Sequence, residues 1–216
     1  MGGRGQMSGV DKHEPRFNKQ THTTSNIDQF DIKKGESFDS AAKRFAKAGY
    51  FGDMPAKDIS LALLDVNDFT EDGYSGIRAA QHENKRGKRL KQAHRIETLV
   101  DKGAKWDGGV TYRGIAVDER FAKSINIGDE IHDQALTSWS TKEDIGRKFA
   151  NLRTTKGEVP VLLRTTSKAQ KHGVPVRLIS AHSDEFEVLV SSKARYRVSR
   201  IIQERNGVRI IDLQEI

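Results

Sequence analysis

The chain has 216 residues, a formal charge of +7, no cysteine and 35% apolar residues, with an isoelectric point near 9.5 and a mean hydropathy of −0.68. These figures exclude disulfides and thiolate-bound metals, and no apolar run approaches the roughly 20 residues that a membrane-spanning helix needs. They allow one ample domain or two small ones, and the basic balance favours anionic partners: nucleic acid, an acidic protein face or a phosphorylated cofactor.

Residues 1–30 are rich in Gly, Thr, Gln and Lys with no hydrophobic period and no signal-peptide core, so they read as a disordered tail. Ser37 or Asp39 caps a helix that runs through Ala48 and is ended by Gly49. A second helix is predicted over Ala56–Leu64, with Ile59, Leu61, Leu63 and Leu64 as its apolar side. Phe69-Thr70-Glu71-Asp72-Gly73-Tyr74 leads into a basic helical region. There Lys85, Arg86, Lys88, Arg89, Lys91 and Arg95 follow one another with no acid between them. No aromatic residue is interleaved, as a single-strand stacking platform would require, so the run is a solvated helix face or a docking surface. A further helix near Gln92–Lys102 carries Ile96, Leu99 and Val100 on one stripe and stops at Gly103.

The character changes after Trp106-Asp107-Gly108-Gly109. Val110–Ile115 reads as a strand with Arg113 inside it, followed by a short helix over Asp118–Lys123 and extended residues Glu130–Ser140. A helix is predicted over Lys142–Leu152. Strands follow over Val159–Thr165, Val174–Ile179, Glu185–Val190, Tyr196–Glu204 and Val208–Leu213. Helices first and strands later predict an α+β fold: a single domain over 31–216, its helical layer (about 37–103) packed on a mostly antiparallel two-sheet β core (about 109–216).

Three motifs stand out. Arg113, in Thr111-Tyr112-Arg113-Gly114, is a guanidinium on a mid-chain strand, costly to bury unless an anion meets it, and its planar fork suits phosphate. Gly114 beside it lets a ligand approach the backbone. Thr137-Ser138-Trp139-Ser140-Thr141 offers four hydroxyls at a strand end where helix capping needs one, and alternation puts Ser138 and Ser140 on one face with Trp139 on the other. Glu185-Phe186-Glu187 opens an apolar strand, where a period of two would place both carboxylates on one face and Phe186 on the other. Like charges so placed repel unless a cation, a shared proton or a substrate uses them.

In this order and at these separations, the motifs resemble the arginine–serine–glutamate class of mono-ADP-ribosyltransferases, which includes the enzymatic components of clostridial binary toxins and related bacterial and phage enzymes. The resemblance extends to Lys148-Phe149-Ala150 at the end of the helix after the serines. It also takes in Arg195-Tyr196-Arg197-Val198 after the glutamate strand, and the aromatic pair Phe69 and Tyr74. It covers about residues 57–216 and implies an enzyme that uses NAD as substrate, without a metal, and moves ADP-ribose to an arginine side chain of a target protein, releasing nicotinamide. On that resemblance Glu187 is the catalytic acid at the ribose 2′-hydroxyl, Glu185 positions and helps deprotonate the acceptor, and Ser138 orients Glu187. Arg113 holds a phosphate, the Gly114 backbone lies near the carboxamide, Phe149 stacks near nicotinamide and Tyr74 closes over the substrate.

The chain departs from the family pattern at Trp139, where Thr is commonest, at Leu152, where some toxins carry a second phosphate-binding Arg that Arg147 or Arg153 would replace, and at Arg78, where Asn is frequent. His182 lies in the loop Ser180–Asp184 that corresponds to acceptor recognition. The runner-up readings are a basic nucleic-acid or protein binding module on the same fold without turnover, using the Lys85–Arg95 cluster, and an enzyme that chiefly hydrolyses NAD. The lack of cysteine and of a signal peptide fits a reducing cytoplasm, that of a host cell for a phage or injected effector, and is compatible with packaging in a virion.

Overall fold

The computed structural model describes residues 23–24, 30–152, 154–166 and 170–216. Most of the predicted tail, and Arg153, therefore lie outside the described residues. Thr23–Thr24 forms a short strand, β1, paired in parallel with β2, Lys105–Trp106, and Phe30 is buried in a core. The segment expected to be a tail through residue 30 thus contributes to the fold at its end.

Helix α1 spans Phe38–Ala48; the Ser37 hydroxyl accepts from the Ser40 amide, and Gly49 closes the helix at φ 72°. Helix α2, Ala56–Asp68, runs longer than its leucines suggested. Its buried side is Ile59, Ala62, Leu63 and Val66, the spacing of one helical face, whereas Leu61 and Leu64 are 40% and 48% exposed. A five-residue π turn, Phe69–Gly73, joins it to α3, Tyr74–His82, and α4 follows over Lys88–Lys102. These helices enclose a core that includes Phe30, Phe45 and Phe51, and it closes on the sheet through Val174 and Leu189. No helix among the described residues is long and apolar enough to cross a membrane.

The remaining strands are β3 Tyr112–Asp118, β4 Glu130–Ile131, β5 Thr137–Ser140, β6 Glu158–Thr165, β7 Gly173–Pro175, β8 Glu187–Val190, β9 Tyr196–Gln203 and β10 Arg209–Glu215, with helices α5 (Glu119–Ser124) and α6 (Glu143–Leu152) between them. They form one ladder in the order β4-β9-β10-β6-β3-β5-β8-β7. Within it only β10–β6 is parallel. β3 and β5 share a single pair, Tyr112↔Ser140, so the ladder is nearly cut there into two parts. The α+β fold, helical layer and mostly antiparallel core are as the sequence predicted, and the two sheets are halves of one ladder that meet at that pair.

Two strand predictions shorten. β7 ends at Pro175, whose ring nitrogen has no hydrogen to offer a ladder, and the chain then turns, with the amides of Ile179 and Ser180 both donating to the Val176 carbonyl. β8 begins at Glu187 rather than Glu185, because Ser183–Glu185 is a 3-10 turn and Phe186 is left-handed at φ 50°. The alternation argument for the two glutamates therefore fails at its first residue.

One glycine fixes how α6 sits. A Cβ on Gly114 would lie 1.9 Å from the Gly146 carbonyl oxygen and 2.3 Å from the Ala150 nitrogen. The side of Gly114 where a Cβ would stand is thus filled by the backbone of α6, while the residue also borders a cleft. Gly114→Ala is expected to destabilise the protein by roughly 1–3 kcal/mol or more, since backbone must move to admit the methyl. Urea unfolding should show a lower midpoint at unchanged slope.

Candidate active site

The antiparallel pairing of β5 with β8 sets Ser140 opposite Glu187 and Ser138 opposite Leu189. Ser138 and Glu187 are therefore diagonal neighbours on one face, a spacing within reach of their side chains. The Ser138 hydroxyl donates to Glu187 Oε1 at 2.5 Å. Ser140 does a different job: its hydroxyl donates to the Glu185 carbonyl at 2.7 Å and accepts from the Lys142 amide at 3.0 Å. Trp139 points the other way into the second core, beside Val188 and Tyr196, so the bulky residue between the serines is a core residue.

Glu187 is 3% exposed. Burial disfavours its charged form and pushes its pKa from 4.5 up to about 7, and the nearby Glu185 charge adds to the rise. The hydroxyls of Ser138 and Ser180 hydrogen-bond the carboxylate and oppose it. Near neutral pH this group is poised between its two forms, the condition in which a carboxyl can hold or release a proton during a reaction.

Arg113 comes from β3. Its Nη1 donates to the Ser138 carbonyl at 3.2 Å, its Nη2 to the Tyr74 hydroxyl at 3.3 Å, and Asp133 lies 3.6 Å away. Asp133 also accepts from Arg78 at 2.8 Å and lies 3.5 Å from His82. Among the described residues, two guanidiniums thus share the Asp133 carboxylate. Arg78 also donates to the Leu136 carbonyl and lies over the Tyr74 ring, 5.2 Å from its centroid. The Phe69 and Tyr74 rings are 5.2 Å apart across the π turn.

Tyr74, Arg113, Gly114, Ser138, Phe149, Glu185 and Glu187 all line one cleft of about 410 Å³. These are the seven residues to which the family resemblance gives a role. His182, Glu71 and Asp72 join them. A second cavity of about 370 Å³ shares Arg113 and Trp139 with the first and is bordered by Arg78, Asp133 and Tyr196, so Arg113 stands between the two. Arg147 is not among the cleft residues; it pairs with Glu204 at 2.8 Å and with Glu143 at 2.6 Å. Leu152 is 68% exposed. Sequence reasoning missed Asp133, which no motif marks, and gave Ser180 no role beyond its loop. Of the basic cluster, Arg89 and Arg95 pair with Asp68 and Asp65, while Lys85, Arg86, Lys88 and Lys91 are exposed.

No protein-family sequence model matches the chain, and no curated protein matches it in sequence. Solved structures do. The Vis toxin of Vibrio splendidus, an ADP-ribosyltransferase, superposes with a TM-score of 0.62 at 20% identity over 88% of this chain and 89% of that one, and Vis has also been solved with agmatine. Exoenzyme S of Pseudomonas aeruginosa, solved with human 14-3-3 protein beta and carba-NAD, gives 0.57 at 18% identity over 82% and 88%. An ADP-ribosyltransferase of Clostridium botulinum gives 0.58 at 14% identity over 81% and 94%. The chain has the ADP-ribosyltransferase fold.

The Glu187 shift has a consequence for stability. Its folded pKa of about 7 lies above the ordinary 4.5, so the native state binds more protons than the unfolded state between those values. Stability then falls as pH rises through that window, and the full cost is present above it. Glu187→Gln keeps an acceptor for Ser138 and removes the charge. It should raise stability by roughly 3 kcal/mol at pH 8 and by little at pH 4, as thermal melts at the two pH values would show.

Proposed function

We propose that the protein is an NAD-dependent mono-ADP-ribosyltransferase that modifies arginine side chains. The observation that carries this reading is Glu187, a buried carboxyl held by the Ser138 hydroxyl in a cleft that also contains Glu185 and Arg113. A buried anion beside a phosphate-compatible guanidinium suits a substrate whose sugar becomes cationic while its pyrophosphate stays negative. The neighbours' chemistry supports the same reading: exoenzyme S was solved with carba-NAD and Vis with agmatine, a guanidine compound.

In this mechanism Arg113, between the two cavities, holds the pyrophosphate at the middle of the extended dinucleotide, with the nicotinamide half against Phe149 and Tyr74. Ionised Glu187 accepts a hydrogen bond from the ribose 2′-hydroxyl and stabilises positive charge as the bond from C1′ to the nicotinamide nitrogen breaks, its electron pair leaving with nicotinamide. Ser138 keeps the Glu187 carboxylate aimed. Glu185, on the turn, takes the proton from the acceptor guanidinium as its nitrogen bonds to C1′. Holding both reactants in place accounts for much of a rate enhancement of this kind, up to roughly 7–11 kcal/mol.

Acceptor choice within this reading rests on charge. Glu71, Asp72 and Glu185 line the cleft, an arrangement that favours a cationic acceptor. The exposed Lys85, Arg86, Lys88 and Lys91 give the enzyme a face for an acidic or nucleic-acid-associated target in a host cytoplasm.

The test is to incubate the protein with labelled NAD and agmatine or an arginine peptide, and to follow nicotinamide release and acceptor labelling separately. The unsubstituted protein should do both. Glu187→Gln should lose both by at least about 100-fold, the scale of removing a preorganised charge-stabilising group. Glu185→Gln should lose labelling while keeping most NAD hydrolysis. Labelling of residues other than arginine would overturn the acceptor assignment, and full labelling by Glu187→Gln would overturn the role of that carboxyl.

A further inference from the structure

Phe186 separates the two glutamates and is held in an unusual way. It is one of two residues other than glycine with positive φ among the described residues, at φ 50° and ψ 50°. An aromatic residue adopts the left-handed region only where its surroundings enforce it. Here the enforcement comes from both sides. From the β5–α6 connection, the Thr141 amide donates to the Phe186 carbonyl at 3.1 Å, and Ser140 binds the Glu185 carbonyl. From the segment after β7, the Val176 amide donates to the Glu187 carbonyl at 2.9 Å.

The side chain is engaged from the same two segments. The Phe186 ring lies 4.8 Å from Lys142 Nζ and 4.2 Å from the Arg177 guanidinium carbon. Arg177 also donates to the Ser183 carbonyl at 2.9 Å, tying it to the 3-10 turn that carries Glu185. Both distances are within the range at which a cation is attracted to an aromatic face. Neither Lys142, Arg177 nor Phe186 lines the cleft, so none of them is placed to touch the reacting atoms.

The geometry points to Phe186, Lys142 and Arg177 as a cation–π clamp whose task is to position Glu185 against Glu187. The left-handed residue turns the chain between the glutamates, so that Glu187 enters the strand while Glu185 stays on the turn at the cleft wall. The clamp holds that turn in place from the β5–α6 connection and from the segment after β7. This deepens the proposed transferase reading and rests on it: the clamp governs how often the activated ribosyl group meets an acceptor rather than water. Phe186, Lys142 and Arg177 are positioning residues, and the partition between transfer and hydrolysis is the quantity they set.

Phe186→Gly is the informative variant, because glycine adopts the left-handed conformation without strain while removing the ring. It should fold and should keep NAD hydrolysis, but the ratio of agmatine labelling to hydrolysis should fall about tenfold, the factor that two such contacts are together worth. Phe186→Tyr retains an aromatic face and should restore the ratio to within about twofold. The Lys142→Met, Arg177→Met double variant should reproduce the loss with the ring present. Hydrogen exchange gives a readout independent of activity: the Glu185 and Glu187 amides should exchange faster in Phe186→Gly and in the double variant than in the parent. Unchanged exchange together with an unchanged ratio would overturn the clamp. If the parent neither hydrolyses NAD nor labels agmatine, the transferase reading fails, and the exchange rates decide the clamp alone.

Discussion

The site depends on one carboxyl kept out of water. Glu187 is 3% exposed at the first residue of β8, and its ordinary tendency to ionise is opposed by burial and only partly restored by the hydroxyls of Ser138 and Ser180. A protein tolerates a buried ionisable group of this kind at a cost in stability, and the cost concentrates where charge is to be used. Everything close by is arranged around that carboxyl. The β5–β8 register brings Ser138 to it diagonally, Ser180 comes from the loop after β7, and Arg113 crosses from β3 to bind the Ser138 carbonyl. The near-break in the ladder at Tyr112↔Ser140 is also where the cleft lies, since residues 112 and 140 both line it.

A second constraint is the packing of α6 on β3. Gly114 and Gly146 allow helix and strand to approach so closely that a Cβ on Gly114 would lie 1.9 Å from a helix carbonyl. The contact sets Phe149 on the cleft wall beside Arg113. The glycine next to the arginine thus serves the cleft by admitting a helix, and the wall that it contributes is a backbone that the helix has already fixed.

Taken singly, an arginine inside a strand, hydroxyls in excess of a cap and two acids before an apolar run each have an ordinary structural explanation; their order and separation, and the family resemblance that these carry, are what pointed to the residues that line the cleft. The fold class was legible because periodicity changes from helical to alternating near Trp106. What sequence did not yield has physical causes. Leu61 and Leu64 are apolar and yet exposed, because a helix face is set by spacing and Ile59, Ala62, Leu63 and Val66 occupy the buried stripe of α2. Glu185 was placed on a strand because alternation takes no account of a left-handed residue, and Phe186 gives no sign of one in its identity. Asp133 was invisible because its part, sharing charge with Arg78 and Arg113, exists only once three separate elements meet. The basic run looked continuous, and two of its six cations turned out to be neutralised by Asp65 and Asp68 of α2.

The central claim is that ionised Glu187 stabilises the cationic sugar while its own burial holds it near neutrality. The pH dependence of kcat/KM for NAD cleavage tests it most directly, because that quantity reports ionisations of the free enzyme. Activity should rise with pH through a midpoint at about 7, in a protein that stays folded across the range. A rate flat from pH 5 to pH 8, or a midpoint at the ordinary carboxylate value of 4.5, would contradict it.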